Sequence, residues 1–322
     1  MMARLGTPSS HKSNRMCVEQ ILRPRQLCNL SQIIARPDDT VESLIEKVKL
    51  ATIVGTIQST MTDFKDVSAK FKENCEAERL LGVSISGIMD CPLLASGDEK
   101  ILKQLKKVAI DANREWAEKL GINASVSVTC VKPDGNTSVL YDSSPGVHGR
   151  FSPFYIRRMR VQNGTPVSNF AISSGIPTEP AFGETWADCT TMVLSFPVKS
   201  PEAAVIQSDR GAIEQLNSWL AFKKFYTETN PSVTVNYKPE ELSDIAYWLF
   251  EKQDFTVGLS FLPTDDHIYE QAPFEEITAE QYEQLSRQFE SVDMGKFWEF
   301  EIQSDTTETA QNLACTGGAC LI

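Results

Sequence analysis

Apolar residues recur along the chain with two kinds of pattern, and these predict alternating helices and strands. Spacings of three and four residues predict helices at 39–57, 99–120, 212–228, 239–252 and 275–300. Short apolar runs, some alternating with polar residues, predict strands at 82–88, 126–130, 190–198, 232–237 and 255–263. Strands separated by long helices are typical of βα units. We therefore expect an α/β fold with a largely parallel sheet, either open or closed into a barrel.

Particular residues mark where some elements begin and end. Asp39 followed by Glu42 has the pattern of a capping box at the start of the first helix, and Gly121 ends the helix at 99–120. Residues 1–13 and 304–322 are polar and lack periodicity. We interpret the first as a disordered leader and the second as a mobile tail.

The composition is that of a globular protein. The 322 residues are 41% hydrophobic and 23% charged, enough for one large α/β unit or two modest domains. The net charge of −12 argues against a nucleic acid as the main ligand. No apolar stretch approaches the ~20 residues of a membrane span, and the N-terminus lacks the apolar stretch of a signal peptide. These features favour a cytoplasmic protein without a membrane partner.

We do not expect the eight cysteines to form a disulfide framework, because a large chain in a reducing compartment does not need one. Cys315 and Cys320 enclose the flexible sequence TGGA at the end of the tail, which favours a dithiol shuttle over a chance pair of thiols. A structural zinc site would need four ligands, and the tail offers two. We interpret the cysteines without special spacing as core thiols: Cys75, Cys91, Cys130 and Cys189.

Two further segments carry candidate chemistry. The sequence VKPDGNTS at 131–138 places a glycine-containing turn after a predicted strand. Its backbone N–H groups and polar side chains suit an anion, although spacing alone favours an ordinary turn. Near the start, Cys17, Glu19 and Cys28 are by composition a loop with two thiols and a carboxylate. We interpret His148, in a Gly/Pro loop, as structural.

Five long stretches, taken in order, resemble one enzyme family. They are CVEQILRPRQLCNLSQIIARPDDTVESLIEKVKLATIVGTIQSTMTDF, EAERLLGVSISGIMDCPLL, VKPDGNTSVLYDSSPGVHGRFSPFYIRRMRV, NPSVTVNYKPEEL and GLSFLPTDDHIYEQAPFEEIT. The sequence resembles the adenosylcobalamin-dependent (class II) ribonucleotide reductases over about 14–322, and most closely their monomeric branch, which reduces ribonucleoside triphosphates. The resemblance implies the second half of a ten-stranded α/β barrel over 14–303, with a finger loop near 14–30 and a redox tail at 304–322.

The resemblance also implies roles for individual residues. Cys17 would become a thiyl radical, started by adenosylcobalamin, and would take the 3′ hydrogen of the substrate ribose. Glu19 would act as general base on the 3′ hydroxyl, and Cys28 would be one of two reducing thiols. Cys315 and Cys320 would re-reduce the resulting disulfide with electrons from thioredoxin. The substrate phosphates would be bound by the loop residues Pro133, Gly135, Asn136, Thr137 and Ser138. The product would supply deoxynucleotides for DNA replication.

The sequence departs from the family in two places. The family has Ser-Asn-Pro-Cys before the radical position, whereas here Arg15 and Met16 separate Asn14 from Cys17, so that Asn14 is out of register. The half of the barrel that would carry the second reducing thiol is not in the sequence, so we expect an N-terminal half polypeptide to be a partner. The alternatives are a catalytically inactive remnant, a fragment of a class I type large subunit and a generic thiol-disulfide oxidoreductase.

Overall fold

A computed structural model describes residues 19–264 and 270–303, which form two compact units. The first unit contains residues 19–151 and 201–264, and the second contains 152–200 and 270–303. The leader predicted at 1–13 and the tail predicted at 304–322 lie outside the described residues.

Helices and strands alternate along much of the chain. The helices are α1 (Val41–Gln58), α2 (Ala69–Glu78), α3 (Pro92–Ala95), α4 (Glu99–Leu120), α5 (Thr137–Leu140), α6 (Pro166–Ser173), α7 (Ala212–Phe225), α8 (Leu242–Glu251), α9 (Ala279–Phe289) and α10 (Phe297–Gln303). The strands are β1 (Asn29–Ile34), β2 (Leu81–Ser86), β3 (Phe154–Gln162), β4 (Thr178–Pro180), β5 (Thr191–Lys199), β6 (Thr234–Tyr237), β7 (Ser260–Pro263) and β8 (Phe274–Glu276). Within the described residues, no helix is both long and apolar enough to cross a membrane.

The first unit is built on parallel strands, as predicted. β1 pairs with β2, with Asn29 opposite Leu81, and β6 pairs with β7, with Thr234 opposite Ser260. Residues 128–131 lie between the two pairs of strands. On one side the Cys130 N–H donates to the Val83 carbonyl of β2, and on the other the Ser232 N–H, just before β6, donates to the Val131 carbonyl. The parallel order of this part of the chain is therefore β1, β2, 128–131, β6, β7.

The strand predicted at 126–130 is reduced to a single bridge between Thr129 and Val83. The carboxylate of Glu228 accepts hydrogen bonds from the backbone N–H groups of Val128 and Thr129. These donors are then not available to a neighbouring strand, and Pro133 cannot extend the ladder.

The capping box predicted from Asp39 and Glu42 is wrong by one residue. Thr40 caps α1: its hydroxyl oxygen accepts from the Ser43 N–H, and the Ser43 hydroxyl oxygen accepts from the Thr40 N–H. Asp39 instead accepts from Lys47 Nζ at 2.6 Å, so its carboxylate is committed to an ion pair. The helix predicted at 99–120 is confirmed as α4, which ends at Gly121 in the left-handed conformation that glycine favours.

One apolar core stabilises the first unit. The spacing of Leu102, Leu105 and Ala109 puts one face of α4 against α1 and α7, where each side chain is fully buried. Trp219 and Trp248 pack edge to face in the same core, with ring centroids 6.3 Å apart. Burial of each large apolar side chain contributes about 1.5–3 kcal/mol.

The second unit has an antiparallel sheet, which the expectation of a largely parallel fold did not include. Its strand order is β4-β5-β3-β8, and the strand predicted at 190–198 is confirmed as β5. The single helix predicted at 275–300 is wrong. That region contains part of β8, then α9 and the start of α10, because Thr278 caps a new helix and Asp293 accepts from Gly295 N in a turn.

Candidate functional site

The structure describes some of the predicted site residues. Glu19, Cys28 and the loop 133–138 all belong to the first unit. Asn14, Cys17, Cys315 and Cys320 lie outside the described residues. The predicted general base, one predicted reducing thiol and the predicted phosphate loop can therefore be compared directly.

Glu19 is held by contacts from two directions. Its side chain is 7% exposed, and Lys132 Nζ lies 3.2 Å from its Oε2. Its backbone carbonyl accepts from the hydroxyl of Thr229. The next residue, Gln20, donates from Nε2 to the Leu81 carbonyl at 2.9 Å. These bonds fix the segment against β2 and the turn before β6, so the carboxylate has a defined position.

Residues 132–137 line a cavity of about 420 Å³, whereas Ser138, the last predicted loop residue, is buried and donates from its hydroxyl to the Gly135 carbonyl. β1 and β2 also line this cavity, with Gln32 and Ser84 among the lining residues. The Lys132 backbone N–H donates to Ser84 Oγ at 3.0 Å, which ties the start of the loop to β2. At its far end the Ser138 N–H donates to the Asp134 carbonyl as α5 begins. The cavity is of the size that takes a small molecule such as a nucleotide.

Lys132 connects the predicted base to this loop. Its ammonium pairs with Glu19, and its backbone begins the loop that continues through Pro133. The sequence predictions included neither Lys132 nor Asp134 as a site residue. The sequence signal for these two residues was weak: they are charged residues on either side of Pro133, and a stretch of this composition is typical of a turn.

Asp134 is a buried carboxylate inside the cavity. It is 9% exposed, has a positive φ of 56°, and its Oδ2 has no hydrogen-bond partner among the described residues. Burial raises the pKa of Asp134 to about 7; the negative charge of Glu19 adds to the rise, while Lys132 and a hydrogen bond from Ser84 oppose it. The carboxyl therefore changes its protonation near neutral pH.

Two cysteines lie near this cavity. Cys28 immediately precedes β1 and is half-buried. Burial raises the pKa of the Cys130 thiol to about 12, and the proximity of Cys28 acts in the same direction. A side chain at Gly82 would place its Cβ 3.0 Å from the Cys130 sulfur and 3.3 Å from Gln20 Nε2. The absence of a side chain there lets Cys130 and Gln20 approach β2. Cys75, Cys91 and Cys189 are also buried, as predicted for core thiols.

A buried ion pair supports the chain that follows the loop. Arg150 donates from Nε and Nη2 to the two carboxylate oxygens of Asp90, each at 2.9 Å. Its Nη1 donates to Asp142 Oδ1 at 2.6 Å. Asp90 also accepts from the Ser144 N–H at 2.8 Å. Residues 142–144, which follow the cavity loop in the sequence, are thereby anchored to the turn after β2.

His148 has a structural role in this part of the unit. Its Nδ1 lies 3.0 Å from the Pro145 carbonyl, and its Nε2 accepts from the Thr234 N–H at 2.9 Å. Nδ1 therefore carries the proton and donates. Burial lowers the pKa of His148, which keeps the imidazole neutral.

Comparison with curated proteins gives relatives that are named as ribonucleoside-triphosphate reductases. No family model matches the chain. A probable adenosylcobalamin-dependent ribonucleoside-triphosphate reductase from Dictyostelium discoideum is 27% identical over 318 residues, which are 95% of this chain and 40% of that protein. The adenosylcobalamin-dependent ribonucleoside-triphosphate reductase of Euglena gracilis is 26% identical over 95% of this chain and 41% of its own length. The chain thus spans about two fifths of the length of these relatives.

Comparison with solved structures agrees at the level of the fold. The crystal structure of a B-12 dependent (class II) ribonucleotide reductase matches with a TM-score of 0.71 and 22% identity. The match covers 88% of this chain and 42% of that one. The chain is therefore similar in sequence to adenosylcobalamin-dependent ribonucleoside-triphosphate reductases over about two fifths of their length, and most of it has the fold of a class II ribonucleotide reductase.

Proposed function

We propose that this chain is part of an enzyme that reduces ribonucleoside triphosphates to 2′-deoxyribonucleotides, which supply DNA replication. The observation that carries the proposal is the contact between Glu19 and Lys132 at the start of the loop 133–138. It brings a buried carboxylate and a cavity of nucleotide size together in one unit. The relatives' names supply the reaction class.

The loop would hold the substrate by its phosphates. The backbone N–H groups around Gly135 and Asn136 and the hydroxyls of Thr137 and Ser138 are donors of the kind that bind phosphate oxygens. Lys132 adds a positive charge at one end of the cavity. Held in this way, the ribose would lie within the same cavity as the loop, toward the Glu19 side.

The chemistry would then use several side chains of this chain. A thiyl radical on Cys17 takes the 3′ hydrogen, and Glu19 accepts the proton of the 3′ hydroxyl. Cys28 and a second thiol supply two electrons and two protons, the 2′ hydroxyl leaves as water, and the two sulfurs join as a disulfide. Cys17 then returns the hydrogen to C3′, which restores its thiyl radical. Cys315 and Cys320 would exchange with this disulfide and pass on electrons from thioredoxin. Lys132 keeps the Glu19 carboxylate oriented during the proton transfer.

Adenosylcobalamin is the proposed source of the radical, in line with the relatives' names. The cavity of about 420 Å³ is too small to enclose a corrin ring with its side arms. The residues that line this cavity therefore do not fit the cofactor, and we assign none of them to it.

The proposed partner is an N-terminal half polypeptide that completes a ten-stranded barrel around a finger loop near 14–30. Among the described residues, β1 pairs only with β2 and β7 only with β6, so each has an open edge. α1 also exposes an apolar stripe at Leu50, Val54 and Ile57, each more than 40% exposed. Open strand edges and exposed apolar stripes are features that proteins normally cover.

Reconstitution tests the proposal. The chain would be purified alone and also co-expressed with a polypeptide that supplies the rest of the barrel, and deoxynucleotide formation from CTP and ATP would be measured with and without adenosylcobalamin. We expect activity only in the complex with the cofactor, and none with Cys17→Ala. Activity without the cofactor but with a radical-generating metal protein would favour a class I type subunit. No activity from a folded complex would favour an inactive remnant.

A further inference from the structure

Asp134 occupies a place in the cavity that the proposed phosphate binding does not explain. Its side chain is nine-tenths buried, and its Oδ2 has no hydrogen-bond partner in the described part of the chain. Buried carboxylate oxygens are normally hydrogen-bonded, and leaving one unpaired is costly. The left-handed backbone at φ 56° keeps the residue in the cavity wall between Pro133 and Gly135. Asp134 lines the cavity, but its unpaired Oδ2 is itself shielded from solvent. A rotation of the carboxyl about the Cβ–Cγ bond would present this oxygen to a ligand in the cavity.

The charges that face Asp134 do not suit an ionised carboxylate beside phosphates. The residues of β1 and β2 that line the cavity are all uncharged: Leu30, Ser31, Gln32 and Ser84. Among the residues that the structure describes, the charged neighbours are Lys132 and Glu19, and the Lys132 ammonium lies 3.2 Å from Glu19. One ammonium thus serves two carboxylates. If both carboxylates were ionised, a bound polyphosphate would meet a surplus of negative charge.

We propose, resting on the proposed function, that Asp134 is a further ligand of the nucleotide phosphates and binds them as the neutral acid. The protonated carboxyl donates its hydrogen to a phosphate oxygen, and the proton comes from solvent when the nucleotide binds. The raised pKa of Asp134, about 7, agrees with this assignment. A bound phosphate shifts that pKa further upward, because it acts on the carboxyl in the same direction as the charge of Glu19.

The proposal has a definite pH signature. Below about pH 7 the acid is already protonated, so binding needs no further proton. Above that pH each nucleotide that binds must bring in a proton. The affinity should then fall by up to about tenfold for each unit of pH.

Isothermal titration calorimetry with the full chain and CTP, from about pH 6 to about pH 9, measures this signature. Heats in buffers of different ionisation enthalpy count the protons taken up by the unmodified protein. The terminal phosphate of CTP also titrates in this range. Inorganic sulfate, which does not titrate there, therefore serves as the parallel probe.

The matched variants are Asp134→Asn and Asp38→Asn. Asparagine tolerates the left-handed backbone, and its amide donates a hydrogen bond at every pH. We expect Asp134→Asn to abolish proton uptake with sulfate and to bind CTP above pH 7 at least as tightly as the unmodified chain. Asp38 is an exposed residue in a turn, and Asp38→Asn should leave the proton uptake unchanged.

Two results would overturn the proposal. The first is sulfate and CTP binding without proton uptake by Asp134, which would leave the proposed reductase function standing. The second is weaker CTP binding in Asp134→Asn across the whole pH range, which would mean that the ionised carboxylate is the form required. If CTP did not bind at any pH, Asp134 would not be a phosphate ligand of this chain, and deoxynucleotide formation in the reconstituted complex would decide the proposed function separately.

Discussion

The buried ion pair behind the cavity loop allows a quantitative prediction. Replacement of Arg150 by methionine removes the guanidinium that donates twice to Asp90 and leaves the Asp90 carboxylate 1% exposed without a counterion. Burial by itself lowers the pKa of Arg150, but the hydrogen bonds and charges of Asp90 and Asp142 raise it overall. The charged form of Arg150 is therefore the one that the fold stabilises.

The magnitude follows from the burial of the two partners. Breaking a buried pair from one side costs about 3–5 kcal/mol, because the remaining charge is desolvated. The side chain of Asp142 is 67% exposed, so its contact with Arg150 adds little. We expect Arg150→Met to lower the free energy of unfolding of the first unit by about 3–5 kcal/mol.

Urea denaturation followed by tryptophan fluorescence measures this loss, since Trp219 and Trp248 are buried in the core of the same unit. Lys107→Met is the matched control. It also removes a cation that pairs with an aspartate, but on an exposed helix surface, where the loss should stay below about 1 kcal/mol. The double variant Arg150→Met with Asp90→Asn should recover part of the loss. If Arg150→Met cost no more than Lys107→Met, the reasoning from buried charge would be refuted.

Four further outcomes are expected. Lys132→Met should reduce deoxynucleotide formation by the reconstituted enzyme by between about tenfold and about 100-fold, because Glu19 loses its orientation; Lys132→Arg should restore part of the rate. Because the pKa of His148 is lowered, the free energy of unfolding should fall as pH drops below about 6.5, and pH-dependent urea titrations should show a smaller fall for His148→Phe. Trp219→Ala should cost about 3–5 kcal/mol in the same urea assay, from lost burial and the cavity left behind. Val54→Lys, on the exposed stripe of α1, should change the stability of the chain by at most about 0.5 kcal/mol but weaken co-purification with the partner half.

Several of these predictions concern one region of the molecule. The cavity loop begins at Lys132, which pairs with Glu19, and residues 142–144 beyond it are anchored through Asp90 and Arg150. The loop is thus bonded at its start to Glu19 and to Ser84 of β2, and the chain beyond it is bonded to the turn after β2, which keeps the loop's donors in a fixed arrangement. That arrangement suits a site that must orient a ribose for hydrogen and proton transfer.

The sequence by itself determined the elements whose pattern is strong and local. The helix α4 was predictable because its apolar spacing and its terminal Gly121 agree, and β2, β5 and β6 because their apolar runs are short and bounded by turns. The long stretches shared with one enzyme family identified the type of fold, which the structural match supports.

Only the tertiary structure decided which charges meet. The strand predicted at 126–130 became a bridge because Glu228, about a hundred residues away in sequence, took its backbone donors. Lys132 and Glu19 are separated by more than a hundred residues, and no local spacing indicates their contact. The pKa of Asp134 rises because the folded chain buries its carboxyl, a property of burial rather than of residue type. Periodicity reports on near neighbours along the chain, whereas the electrostatics of this site depend on distant segments that only folding brings together.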